Sequence, residues 1–113
     1  MIPAEAVSCY DFEGITVVPS AGQVFVDGQR VLLTQKEFDL LLFLASHAGM
    51  TLHRDQILKK LRGVDAALVT RSVDVLVGRL RRKLQDSKTD PRFIQTVWGQ
   101  GYQFIADPRA IYR

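Results

Sequence analysis

The stretch TRSVDVLVGRLRRKL, residues 70–84, decides how this chain reads. Turned through about 100° per residue, Val73, Leu76, Val77, Leu80 and Leu84 fall within about 60° of one direction, the apolar stripe of a helix laid on a core. Arg71, Val75, Arg79 and Arg82 lie on the far side. Arg81 and Lys83 flank the stripe, where their stems cover apolar surface while their charges reach outward. The segment holds five cations against Asp74 alone, a net of +4 in a chain whose total is only +3. No Glu stands in it to form pairs four residues apart, so the charges repel one another until a polyanion arrives. Asp74 is assigned to Arg71, three residues earlier. Gly78 costs about 1 kcal/mol against alanine in a helix interior; it reads either as room for close approach to a ligand or as a tolerated residue.

Working backwards, a shorter helix is expected from about Arg54 to Leu61, burying Ile57, Leu58 and Leu61, with Arg62 and Gly63 at its end and GVDAALV as a loop. Short helix, loop and basic helix is the order of a helix-turn-helix. His53 at the start of the short helix is a poorer cap than Ser, and its protonation opposes the helix dipole. Thr34 and Glu37 have the spacing of a capping box that opens the first helix, with Phe38, Leu41, Leu42 and Ala45 inward and Gly49 as a left-handed stop. Before it, YDF, ITVV, QVFV and RVLL read as short antiparallel strands, with Asp27-Gly28 as a two-residue hairpin turn. Beyond Pro91, FIQTVWGQGYQFIA reads as two strands joined through Gly99-Gln100-Gly101, with Trp98 and Tyr102 at the shoulders. The boundaries expected are a linker over 1–8, one domain over 9–107 and a tail over 108–113.

A chain of 113 residues that is 47% hydrophobic supports one core. Its N-terminal third is acidic, with Arg30 against Glu5, Asp11, Glu13 and Asp27, so the positive field gathers at one helix. Cys9, on an expected edge strand, is read as packing and has no intrachain partner. His47 and His53 sit at helix ends without carboxylates or thiols at ligand spacing, so no metal and no cofactor are expected. GQGYQF lacks the third glycine and the strand-to-helix setting of a dinucleotide fingerprint. No arrangement of nucleophile and base appears, which excludes an enzyme reading. The longest apolar run, Leu40 to Ala45, falls far below the ~20 residues that cross a bilayer, and a reducing cytoplasm is the expected setting.

A helix with this charge fits the major groove of double-stranded DNA. Arg79, in the middle of the outer face, suits two parallel hydrogen bonds to guanine O6 and N7, and Val75, about a turn away, suits a thymine methyl. Arg71, Arg81, Arg82 and Lys83 suit phosphates, which supply affinity without sequence information. RSVDVLVGRLRRKL followed by FIQTVWGQGYQF resembles the effector domain of OmpR/PhoB-family bacterial response regulators, and LTQKEFDLLLFLASHAG resembles its first helix. The likeness runs from about Tyr10 to Ile105. It implies an α+β winged helix-turn-helix: an N-terminal four-stranded antiparallel sheet, a three-helix core and a C-terminal β-hairpin wing.

The resemblance also implies transcription control in a two-component phosphorelay. Promoter DNA is bound through recognition helix 70–84, with wing 93–105 on the adjacent backbone or minor groove. The family's DNA-reading positions fall on Arg71, Ser72, Val75, Leu76, Gly78, Arg79 and Arg81, and on Thr96, Trp98 and Tyr102 of the wing; Arg62 is added to the DNA-binding set. Loop 62–70 corresponds to the surface that meets RNA polymerase. A receiver domain is expected N-terminal to the chain, with a head-to-tail dimer on direct repeats and a monomer without DNA. Trp98 stands where some relatives have a minor-groove Arg, so it either packs on the domain or lies on the sugar-phosphate backbone. Two other readings remain open here, a winged helix that binds an acidic protein and the DNA-binding domain of a membrane-tethered activator.

Overall fold

The computed structural model describes residues 8–62 and 70–112, with no account of the side chains of Thr70 and residues 110–112. Four short strands come first: β1 (Cys9–Phe12), β2 (Ile15–Val18), β3 (Gln23–Val26) and β4 (Gln29–Val31). Each pairs antiparallel with the next. The β3–β4 turn has positive φ at both Asp27 (50°) and Gly28 (80°), the mirror-image turn whose twist suits a hairpin. Its Asp27 carboxylate accepts two hydrogen bonds from the Arg92 guanidinium at 3.0 and 2.9 Å, tying the turn to the segment that leads into the wing.

Two features of this sheet were not expected. Residues 108–112, read as a tail, form strand β8 (Pro108–Tyr112), which pairs with β1 and gives a five-stranded order β4-β3-β2-β1-β8. Proline opens this edge strand, a place where a missing N–H does no harm. Cys9 consequently stands on an interior strand, and burial, then the Asp11 charge, pushes its thiol above the ordinary value.

Helix α1 (Gln35–Ser46) starts at the expected capping box: Glu37 N–H donates to Thr34 Oγ1 at 3.3 Å, and Thr34 N–H donates to Glu37 Oε1 at 2.8 Å. Strand β5 (Thr51–His53) precedes helix α2 (Arg54–Arg62), and helix α3 (Thr70–Leu84) follows. The wing strands are β6 (Ile94–Val97) and β7 (Gly101–Phe104). The wing is therefore not a two-stranded hairpin: β5 joins it in the order β5-β7-β6. A Cβ at Gly101 would lie 2.0 Å from the Leu52 carbonyl oxygen, so glycine is what lets β7 come this close to β5. His53 ends β5, and its N–H is met by Gln56 Oε1 at 2.8 Å, the reciprocal half of a capping box.

The core lies between the helices and the two sheets. The α3 stripe of Val73, Leu76, Val77, Leu80 and Leu84 is buried against Leu40, Leu41 and Leu44 of α1, Ile57 and Leu61 of α2, and Phe93 and Phe104 around the wing. Phe12 meets Phe104 edge to face at 4.7 Å, joining the N-terminal sheet to the wing. Leu80 is fully buried, and truncating such a leucine to alanine typically costs about 2–5 kcal/mol. Between α3 and β6, the Asp86 carboxylate accepts backbone N–H groups from Ser87, Arg92, Phe93 and Ile94, which fixes where the wing starts. Among the described residues, no helix is long and apolar enough to cross a membrane.

Candidate nucleic-acid interface

Helix α3 presents three different surfaces besides its core stripe. The outer face carries Arg71, Val75, Arg79 and Arg82, all exposed. Val75 is 49% exposed, an apolar side chain held among cations. Among the described residues, Arg71, Arg79 and Arg82 form no hydrogen bond or ion pair, so three guanidinium groups stand on one face with their donors free. Ser72 is half-buried beside them.

The second surface faces α1, and there the expectation for Lys83 changes. Its ammonium donates to Glu37 Oε1 at 2.6 Å, so the charge assigned to a phosphate is already paired. Glu37 is 2% exposed. Burial alone would raise its carboxyl, but hydrogen bonds from Lys83 and from Thr34 outweigh that and hold it below the ordinary value. One carboxylate thus caps α1 and anchors the last turn of α3.

The third surface is the line of Asp74, Gly78 and Arg81, spaced i, i+4 and i+7 and turned to the wing. Arg81 was expected to reach outward, yet it is 7% exposed. Its Nη2 donates to the Ile94 carbonyl and to Thr96 Oγ1, both at 2.8 Å, and its Nε is buried without a partner. Burial lowers the guanidinium's affinity for its proton, against the pull of Tyr102 and Asp86. The periodicity of the helix is right; what it omits is that β6 stands against that edge.

Asp74 likewise does not pair with Arg71. Its Oδ1 accepts from Arg54 Nε of α2 at 2.8 Å and from Tyr102 Oη of β7 at 2.5 Å. Burial would raise the Asp74 carboxyl, and the bonds from Tyr102 and Arg54 bring it below the ordinary value. Tyr102 moves the opposite way, raised by burial and by its bond to Asp74, so it stays a protonated donor. The Tyr102 ring also takes the Arg54 and Arg81 guanidinium groups at 5.3 and 5.5 Å.

Of the expected DNA-reading residues, Leu76 is 5% exposed and Tyr102 4%, both in the core cluster. Leu76, named above both as core and as a reader, is core. Thr96 is half-buried and holds Arg81. Trp98 at the wing tip is 76% exposed. Lys88, from the loop after α3, lies over its ring at 5.4 Å. Nothing in QDSKTDPR signals that Lys88 would reach the wing tip. A Cβ at Gly78 would meet nothing within 4 Å. Arg62 closes α2 and is exposed, while residues 63–69 of the loop assigned to RNA polymerase lie outside the described residues.

The comparisons with known proteins accord with this architecture. Residues 28–104 match the family described as transcriptional regulatory protein, C terminal. The chain is 42% identical over 93 residues to the transcriptional regulatory protein RstA of Escherichia coli strain K12, covering 82% of this chain and 39% of that protein. It spans about two fifths or less of the length of the curated relatives it matches first. Among solved structures, the RstA DNA-binding domain of Klebsiella pneumoniae, in complex with the RstA box, superposes with a TM-score of 0.77 at 44% identity, covering 86% of this chain and 96% of that one. The response regulator DrrB, a Thermotoga maritima OmpR/PhoB homolog, gives 0.79 at 36% identity, covering 87% and 44%.

Proposed function

Because this chain belongs to the OmpR/PhoB family of transcriptional regulators, as a C-terminal effector domain, we propose that it binds double-stranded promoter DNA in a sequence-dependent way. One observation carries the reading: Arg71, Arg79 and Arg82 project from the face of α3 opposite its core stripe, around an exposed Val75. Such a face gains little from water and much from a groove lined with phosphates and base edges. Arg79 donates to a guanine, Val75 meets a thymine methyl, and Arg71 and Arg82 meet phosphates, with Ser72 beside them. Trp98 and Lys88 place an aromatic ring and a cation on the adjacent backbone or minor groove. The bound RstA domain makes duplex DNA the natural ligand class.

Further partners are part of the same proposal. A receiver domain N-terminal to this segment would pair two effector domains head to tail on direct repeats, raising their effective concentration at adjacent half-sites. Loop 62–70 would meet RNA polymerase, in the cytoplasm. Selection of bound duplexes from a random pool tests the reading. A consensus with guanine and thymine at fixed positions is expected; enrichment of no sequence, together with capture of an acidic protein by the same face, would overturn it.

A further inference from the structure

The wing-facing edge of α3 raises a question that DNA contact does not answer. Asp74 is the only carboxylate of the recognition helix, and its side chain is 45% exposed. An anion so placed works against a polyanionic ligand. Its partners show what it does instead. Arg54 of α2 and Tyr102 of β7 converge on the same oxygen, Oδ1, so one atom joins the three elements.

Seven residues further along the same edge, about 10 Å at the rise of an α-helix, Arg81 grips β6 through Ile94 O and Thr96 Oγ1. Thr96 and Tyr102 are opposite one another in the β6–β7 register, so the two anchors close on one pair of the wing. Between them Gly78 leaves open space, and no side chain packs across the gap from that position. One anchor would leave a hinge; two fix a direction. The wing tip at Trp98 lies two residues past Thr96, roughly 7 Å of strand, so a rotation at the anchors displaces the tip.

We propose that Asp74 is a positioning residue: through Tyr102 and Arg54 it locks the wing to the recognition helix, so that Trp98 and the outer face of α3 engage the duplex as one rigid body. The proposal rests on the DNA-binding reading above for its consequence, though the lock exists without DNA. What matters is the acceptor at Oδ1, since an amide oxygen in the same place retains two lone pairs for the same donors.

The test compares Asp74→Ala, Asp74→Asn and Tyr102→Phe in the 113-residue chain. In the free protein, amide exchange at residues 96–102 should accelerate on the order of tenfold relative to α1 in Asp74→Ala and Tyr102→Phe, and stay near wild type in Asp74→Asn. Trp98 is the only tryptophan, so its emission reports the wing, while protection of guanine N7 reports α3. At saturation with the selected duplex, Asp74→Asn should keep both signals. Asp74→Ala and Tyr102→Phe should keep the N7 protection and lose most of the Trp98 change. Loss of the charge should strengthen binding to mixed-sequence duplex equally in Asn and Ala, so the difference between them isolates geometry. The proposal is overturned if Asn behaves like Ala, if Ala retains the full Trp98 change, or if exchange rises uniformly. A wild-type chain that enriches no duplex overturns the function reading alone, because the exchange ratios still decide the lock.

Discussion

Arg81→Ala separates a buried strut from a phosphate contact. Two charge-assisted bonds are lost, to Ile94 O and Thr96 Oγ1, at about 1.5–3 kcal/mol each. Against that, removing the unpaired buried Nε relieves about 1–3 kcal/mol. The stem's packing goes too, since the residue is 7% exposed. The net is a destabilisation of about 3 kcal/mol, or about 13 °C in Tm for a domain of this size. Thermal unfolding followed by circular dichroism without DNA measures it. Arg82→Ala is the companion: exposed and without a partner among the described residues, it should leave Tm within about 2 °C and flatten the salt dependence of binding by about one phosphate. If Arg81→Ala left Tm unchanged and flattened the salt slope as Arg82→Ala does, the strut argument would be wrong.

Three further outcomes follow from the same geometry. Glu37 has a carboxyl held low in the fold, so its contribution to stability is present above about pH 4.5 and disappears as pH falls through the folded value. Glu37→Gln should be less stable at pH 7 by about 1–3 kcal/mol and show a shallower loss of Tm between about pH 5 and 3; an equally steep loss would remove Glu37 from the acid response. Gly78→Ala fits without a clash and should raise stability by about 1 kcal/mol. A simultaneous fall in DNA affinity would show that the gap is used by the ligand, and unchanged affinity would mark the glycine as merely tolerated. Val75→Ala should weaken binding to the selected duplex about as much as replacing the contacted thymine by uracil, and the two changes together should cost no more than either; additive losses would exclude a methyl contact.

The helices were legible because period and caps are local properties. α3 has the bounds expected, and Thr34 and Glu37 open α1 as their spacing says. The Asp27-Gly28 hairpin was legible for the same reason. What was not legible depends on what stands opposite each edge of a helix. Periodicity put Arg81 and Lys83 beside the stripe correctly, but their partners lie in β6 and α1, 13 to 46 residues away. Asp74 had a plausible partner three residues back and took two distant ones. Strands β5 and β8 were missed because each pairs with a strand distant in sequence, β7 and β1, so no local hairpin marks them and their pairing is set by the assembled fold. The outer face was read correctly since being exposed requires no partner.

The claim on which the rest depends is that the outer face of α3 enters the major groove with Arg79 on a guanine. Dimethyl sulfate probing of the selected duplex tests it most directly, because the reagent attacks guanine N7 in the major groove and adenine N3 in the minor groove. Wild type should protect one or two guanine N7 positions per half-site, and Arg79→Ala should expose one of them while losing about 1–3 kcal/mol of specific binding and little on random duplex. A complex that protects adenine N3 alone, with every guanine N7 as reactive as in free DNA, would contradict the account.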